Sequence, residues 1–83
     1  MKRVKIYTTP ICPYCVSAKR LLERKGVAYE EVDVSGDDQA RIDLAQRTGR
    51  RTVPQIFIGY LHVGGSDDLH ALEQDGKLDQ LLQ

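Results

Sequence analysis

The chain has 83 residues, of which 41% are hydrophobic and 29% are charged, and twelve basic residues balance twelve acidic ones. This composition is typical of one small globular domain spanning residues 1–83, and the balanced charge argues against a nucleic-acid ligand, which needs a basic surface. The longest apolar runs are a few residues long, so we expect a cytoplasmic protein without a membrane span or a signal peptide.

The first predicted elements are a strand, a helix and a second strand. Residues 3–8 alternate charged and apolar side chains, as a half-buried strand does. Apolar residues recur at helical spacing from Pro13 to about Lys25, and Gly26 is the expected end of this helix. Residues 27–34 combine β-forming and acidic residues and predict a second strand at residues 29–33. A strand, a helix and a strand in this order predict a βαβ unit with parallel strands.

The next segment predicts a second helix and a hairpin. Residues 35–38 open the helix with acidic side chains that suit a helix start, and Gly49 closes it. Residues 53–58 and 61–63 predict two strands. These strands should be antiparallel neighbours, because Gly59-Tyr60 is a two-residue connection with glycine first.

The last segment predicts a third helix and an apolar tail. Ser66 is the expected N-cap, and Asp67 and Asp68 lie in the first turn, where the helix dipole favours acidic residues. Gly76 ends this helix, and the leucines of residues 78–82 should pack back onto the sheet. The order βαβ followed by αββα predicts an α/β fold with a four-stranded mixed sheet flanked by helices.

A cysteine pair lies where the first strand has ended and the first helix begins. The unpaired N–H groups and the positive end of the helix dipole stabilise a thiolate at Cys12, the form that attacks a disulfide. Pro13 suits the first helical position. Cys15 lies one turn further along and should be more buried, as suits a resolving thiol. Lys19 and Arg20 are interpreted as the solvated face of this helix.

Two other roles of the cysteine pair fit the sequence less well. The pair supplies only two zinc ligands, and His62 and His70 do not stand at a metal-ligand spacing, so no metal is expected. A permanent disulfide would close too short a loop to remove much entropy from the unfolded chain. A C-x-x-C pair that opens a helix after a strand indicates thioredoxin-like redox chemistry.

Three segments resemble the dithiol glutaredoxins, in the order and at the separations of that family. They are Cys-Pro-Tyr-Cys at 12–15, Thr-Val-Pro at 52–54 with the apolar strand after it, and Gly-Gly-Ser-Asp-Asp at 64–68. The resemblance covers essentially the whole chain. It implies a thioredoxin-like fold and a glutathione-dependent thiol–disulfide oxidoreductase with no bound cofactor. Glutathione would be the electron donor, and NADPH would enter indirectly through glutathione reductase.

The resemblance also implies the partners and a binding site. The partners would be glutathione and disulfide-bonded or glutathionylated proteins, and we expect a monomer. Val53, before a cis Pro54, would pair through its backbone with the cysteine part of glutathione. The start of the third helix would bind the γ-glutamyl carboxylate, and Asp67 would face the ammonium. The implied glutathione contacts are Tyr14, Arg50, Thr52, Val53, Pro54, Gly65, Ser66 and Asp67.

Thr9 is where the chain departs from the family's pattern. Many glutaredoxins carry a lysine at this position, close to the thiolate and the glycyl carboxylate of glutathione. The nearest cationic replacements are Arg50, Arg51 and Arg47.

Two alternative functions stay open. One is a redoxin that thioredoxin reductase reduces. The other is a dimer that holds an iron–sulfur cluster between Cys12 thiolates and glutathione. Pro13 and Cys15 favour the dithiol enzyme, since cluster-binding relatives usually lack one of them.

Overall fold

The computed structural model describes all 83 residues as a four-stranded sheet with helices packed against it. The strands are β1 (Val4–Thr8), β2 (Glu30–Asp33), β3 (Gln55–Ile58) and β4 (Leu61–Gly64). The helices are α1 (Pro13–Arg24), α2 (Asp38–Thr48), α3 (Ser66–Gln74) and α4 (Leu78–Leu82). The longest of them, α1, has 12 residues, and no helix combines the length and the apolar character of a membrane span.

The strands lie in the order β2-β1-β3-β4. β1 runs parallel to β2 and antiparallel to β3, and β3 and β4 form an antiparallel hairpin. Gly59 begins the two-residue turn with a φ of +58°, the positive value that favours glycine there. The predicted mixed sheet and its hairpin are confirmed.

β3 begins later than predicted, at Gln55 instead of Val53. The two residues before it, Val53 and Pro54, are joined by a cis peptide bond, as expected. Pro54 has no N–H to donate to a neighbouring strand, so the ladder starts after it.

The predicted cap of α3 is wrong. Gly65 occupies the N-cap position, and Ser66 is the first helical residue. The side-chain bond at this helix start comes from Asp68, whose carboxylate accepts the Gly65 N–H at 2.9 Å. The Ser66 hydroxyl lies instead 3.4 Å from Nδ1 of His70.

Buried side chains lie on both faces of the sheet. Ile6 of β1 belongs to the main core, which α1, α3 and α4 cover. Tyr7, the next residue along β1, packs in a smaller cluster with Val34 and with Leu44 of α2. Successive residues of a strand point to opposite faces, so β1 contributes to both clusters. The main core consists of Val4, Ile6, Ala18, Leu21, Leu22, Val27, Ile56, Ile58, Leu69, Leu78 and Leu82.

Candidate active site

Cys12 is the N-cap residue of α1, and Pro13 takes the first helical position, as predicted. The Cys12 Sγ accepts a hydrogen bond from the Cys15 N–H at 3.1 Å. One of the unpaired donors of the helix start therefore points at this sulfur, where it stabilises negative charge. The Cys12 thiol can also donate to the carbonyl oxygen of Val53, 3.7 Å away, so the sulfur faces the loop that precedes β3.

Cys15 lies one helical turn beyond Cys12, and both are free thiols. The exposed fraction is 1% for Cys15 and 9% for Cys12, so the predicted greater burial of Cys15 is confirmed. Burial raises the pKa of Cys15 to about 12, and the hydrogen-bonded Cys12 sulfur adds to the rise. The Cys15 thiol therefore keeps its proton at neutral pH.

A cleft of about 370 Å³ is lined by Val53, the residue whose carbonyl oxygen faces the Cys12 thiol. It lies between the first turn of α1, the loop of residues 50–54 and the start of α3. The lining residues are Tyr14, Arg50, Thr52, Val53, Pro54, Gly65, Ser66, Asp67 and Asp68. The structure thus brings all eight predicted glutathione contacts together in one cleft, and their role in binding stays a prediction.

Asp68, the ninth lining residue, was not predicted as part of the site. Its carboxylate accepts the Gly65 N–H at 2.9 Å and a guanidinium N–H of Arg50 at 2.8 Å. These two bonds, the Gly65 N–H first, hold the pKa of Asp68 below its usual range. The sequence did contain a signal for this role. Asp68 follows Gly65 by three residues, which is the spacing of a capping box.

Of the three candidate arginines, Arg50 lines the cleft and the other two do not. Arg47 donates to the Tyr7 hydroxyl at 3.2 Å, and its guanidinium lies 4.9 Å from the centre of the Phe57 ring. Arg51 is exposed beside α2. Arg50 is therefore the cation in place to meet a ligand in the cleft.

A buried network behind the cleft holds Thr52. The fully buried Gln55 donates from Nε2 to the Thr52 carbonyl oxygen at 3.0 Å and to its hydroxyl at 3.3 Å. The Gln55 Oε1 lies 2.7 Å from Nε2 of His62, which must be the donor because an amide oxygen only accepts. Sequence reasoning missed this network. Its available signal was Gln55, a polar residue in an otherwise apolar strand.

The two histidines belong to separate networks, and neither forms a hydrogen bond with a cysteine. His62 contacts Gln55, whereas Nδ1 of His70 lies 2.8 Å from the Ser66 carbonyl oxygen. No three His, Cys, Asp or Glu side chains converge as metal ligands in the chain.

Lys19 is not simply part of a solvated face, which corrects the sequence interpretation. Its Nζ lies 3.0 Å from the Glu31 carboxylate, and its side chain is 26% exposed. The same carboxylate oxygen accepts a hydrogen bond from the buried Thr8 hydroxyl at 2.7 Å. Arg20 is exposed, as predicted.

Comparison with known proteins agrees with this geometry. The glutaredoxin family profile matches residues 4–63. A glutaredoxin of Pseudomonas aeruginosa is 58% identical over 82 residues, which are 99% of this chain and 98% of that protein. The solution structure of a Brucella melitensis glutaredoxin matches with a TM-score of 0.89 at 57% identity, covering 99% of this chain and 89% of that one.

A more distant structural match contains a ligand. The crystal structure of a buckwheat glutaredoxin–glutathione complex has a TM-score of 0.92 at 33% identity, covering 98% of this chain and 76% of that one. The sheet and helices of this chain are therefore the thioredoxin-like fold that the sequence predicts. With Cys12 and Cys15 paired at the start of α1, the chain belongs to the glutaredoxin family and is a thiol–disulfide oxidoreductase.

Proposed function

We propose that the protein reduces protein disulfides and glutathione mixed disulfides, with glutathione as its electron donor. The observation that carries this proposal is the cleft that brings the eight predicted glutathione contacts together. One of them is Val53, whose carbonyl oxygen lies 3.7 Å from the Cys12 Sγ. The buckwheat relative, whose structure is that of a glutathione complex, supports the same ligand.

The charges around the cleft match those of glutathione, which has two carboxylates and one ammonium group. The Arg50 guanidinium suits one carboxylate, since arginine binds carboxylates through two parallel N–H groups. The unpaired N–H groups at the start of α3, where Ser66 lies, suit the other. The exposed Asp67 carboxylate suits the ammonium. The ligand would therefore lie across the cleft between Arg50 and α3.

The middle of the ligand would lie along Val53. The Val53 N–H and carbonyl group make no backbone hydrogen bond within the chain, so they are available to an extended peptide. Pairing there would bring the glutathione sulfur toward Cys12, because the Val53 carbonyl oxygen is 3.7 Å from the Cys12 Sγ. Tyr14, which is 63% exposed, would flank that sulfur.

The proposed reaction has two stages. The Cys12 thiolate attacks a substrate disulfide and forms a mixed disulfide, and the other substrate sulfur leaves as a thiol. Cys15 then attacks the Cys12 sulfur, which releases the reduced substrate and leaves a Cys12–Cys15 disulfide.

In the second stage, one glutathione opens this disulfide to give a Cys12–glutathione intermediate, and a second glutathione attacks that intermediate and releases glutathione disulfide. NADPH restores glutathione through glutathione reductase.

A coupled assay with the two cysteine variants tests this function. Cys12→Ser should lose all activity, because it lacks the attacking sulfur. Cys15→Ser should keep deglutathionylation and lose most reduction of protein disulfides, because only the latter needs the second thiol. The measurement is NADPH consumption with glutathione and glutathione reductase, on one substrate of each type.

The same assay with thioredoxin reductase in place of glutathione is the control for the alternative redoxin. Turnover without glutathione would overturn the proposal, and equal loss in both cysteine variants would contradict the division of roles. A visible absorption band after anaerobic purification would indicate the iron–sulfur alternative.

We further propose that residues 1–83 act as a single domain and a monomer in the cytoplasm. Support comes from the main core, where Val4 of the first strand and Leu82 of the last helix belong to one buried cluster. A reducing compartment would keep Cys12 and Cys15 as the free thiols that the reaction requires.

A further inference from the structure

The resolving step requires the Cys15 thiolate, and the burial of this side chain makes the thiolate difficult to form. To attack the mixed disulfide, the Cys15 thiol must first lose its proton, since the thiolate is the nucleophile. Cys15 is 1% exposed, and burial raises its pKa to about 12. Water is thus excluded from the sulfur, and the protein itself must stabilise the negative charge that forms there.

The surroundings of Cys15 change when Cys12 is bonded to a substrate. In the reduced protein, the Cys12 sulfur disfavours the Cys15 thiolate through its hydrogen bond and its charge. Both effects end once Cys12 is part of a mixed disulfide. The Thr9 backbone and the charge of Lys19 then act in favour of the thiolate, against burial.

Lys19 is well placed for this role. It follows Cys15 by four residues on α1, so the two side chains lie on the same helix face. Its ammonium contacts Glu31 of β2 at 3.0 Å, and Glu31 also accepts the Thr8 hydroxyl of β1 at 2.7 Å. The ammonium is thereby held between α1 and the sheet, close to the helix face that carries Cys15.

The Glu31 carboxylate stays charged and therefore maintains its ion pair with Lys19. The Thr8 hydroxyl first, and then Lys19, lower the pKa of Glu31, whereas the neighbouring Asp33 opposes this effect. Partly exposed ion pairs of this kind contribute little to stability. The positive charge of Lys19 nevertheless acts on the buried Cys15, where it lowers the pKa of the thiol against the effect of burial.

We propose that Lys19, positioned by Glu31, stabilises the Cys15 thiolate in the step that releases the substrate from Cys12. In this step the Cys15 sulfur forms a bond to the Cys12 sulfur, and the bond between Cys12 and the substrate sulfur breaks. The substrate leaves as a thiolate and takes up the proton that Cys15 released. This inference rests on the proposed function, because it concerns the step that only the dithiol reaction contains.

A single-turnover experiment separates this step from the first attack. An aromatic disulfide whose thiolate absorbs visible light reacts with the reduced protein in two phases. Cys12 releases one coloured thiolate in the first phase, and Cys15 releases the second. Recording both phases by stopped flow below neutral pH, where the Cys15 step is slow, gives the two rates in one trace.

Lys19→Gln should slow the second phase. For each unit by which the Cys15 pKa rises, the thiolate fraction falls about tenfold, while its nucleophilicity gains roughly threefold, which leaves a net loss of roughly threefold. The pH at which the second phase reaches half its maximal rate should also move upward. Lys19→Arg keeps the positive charge and should restore the rate. Arg20→Gln removes an exposed charge from the same helix and serves as the matched control.

The outcomes distinguish this inference from the function on which it rests. A normal second phase in Lys19→Gln, or an equal slowing of both phases, would overturn the role of Lys19. In the Cys15→Ser background, where only the first phase remains, adding Lys19→Gln should leave the rate of that phase unchanged. If the unsubstituted protein itself shows no second phase, the proposed dithiol function fails instead.

Discussion

Among single residues, Gln55 shows how a buried amide can hold one wall of the cleft in place, because it bonds to Thr52. Its Nε2 donates to the carbonyl and hydroxyl oxygens of Thr52, and its Oε1 accepts from His62. Both polar atoms of the buried side-chain amide therefore have hydrogen-bond partners within the chain. Leaving such groups unpaired costs about 1–3 kcal/mol each. Thr52 is therefore held one residue before Val53, where an extended ligand would pair.

His62 makes the stability of this network depend on pH. Burial first, and then the charge of Arg50, lower the pKa of His62, so the folded state favours the neutral imidazole. The resulting stability is present above the unfolded value of 6.5, and it should decrease as pH falls from 6.5 through the lower folded pKa. His62→Gln, which keeps an amide donor for Gln55, should remove this decrease. Urea denaturation at several pH values measures it.

Glu31 and Asp68 also make the stability depend on pH, and their effect serves as an internal control for the His62 experiment. The pKa values of Glu31 and Asp68 are held below their usual range. The stability that these carboxylates contribute is present above their unfolded pKa of about 4 and is lost as the pH falls below it. The carboxylates and His62 therefore change the stability in different pH ranges. The loss at lower pH should therefore persist in His62→Gln. An unchanged dependence of stability on pH just below 6.5 in this variant would contradict the role of His62.

At the level of secondary-structure elements, the junction between β4 and α3 depends on Gly64. Its φ of +119° is rare for residues with a side chain, and an added Cβ would meet the Asp68 carboxyl group. Asp68 cannot turn away without breaking its bonds to Gly65 and Arg50. The glycine therefore allows one carboxylate to cap α3 and to hold the cleft's arginine.

Gly64→Ala should lower the free energy of unfolding by roughly 1–3 kcal/mol and raise KM for a glutathione mixed disulfide, because it disturbs Arg50. Gly36→Ala is the matched control. Gly36 also has a positive φ, +73°, but a Cβ there would meet nothing within 4 Å. The control should lose stability through backbone strain and keep the KM of the unsubstituted protein. Equal KM values in both variants would argue against the contact with Asp68.

For the whole molecule, the last helix packs on the main core and does not line the cleft. Leu78 is fully buried in the main core, and α4 contributes no residue to the cleft. The Lys2 N–H donates to the Leu82 carbonyl oxygen at 2.8 Å, which ties the two ends of the chain together. Lys25, the residue that follows α1, bridges Glu73 of α3 and Asp79 of α4, each at 2.8 Å, and so links the end of α1 to both final helices.

Leu78→Ala should therefore cost about 2–5 kcal/mol of unfolding free energy, since it leaves a cavity in a packed core. Turnover per folded molecule should stay unchanged. Leu81→Ala, at a half-buried position of the same helix, is the control and should cost less. Urea midpoints and the coupled assay give the two quantities. A large loss of turnover without a loss of stability would show that α4 affects the site directly.

The arrangement of the whole chain was largely predictable because its signals are local. The periodicity of β1 and α1, the glycine at position 59 and the C-x-x-C pair each act over a few residues. What sequence reasoning missed are contacts between residues far apart in the chain, such as Lys19 with Glu31 and Arg50 with Asp68.

The choice among the arginines shows the same limit. Arg47, Arg50 and Arg51 all precede the Thr-Val-Pro segment, and only the resemblance to the glutaredoxins favoured Arg50. In the structure, Arg47 packs against Tyr7 and Phe57, and of the other two only Arg50 lines the cleft. The N-cap of α3 was mispredicted for a local reason, since Ser66 is already helical and turns its hydroxyl toward His70, four residues further along the same helix.

β2 has a further consequence, because it forms an open edge of the sheet. An open edge exposes unpaired backbone groups that can recruit a second chain into a continuous sheet, which is a route to aggregation. Three of the four residues of β2 are exposed carboxylates, Glu30, Glu31 and Asp33. Two copies that met along this edge would bring like charges together. The carboxylate that holds Lys19 therefore also helps to keep crowded molecules apart.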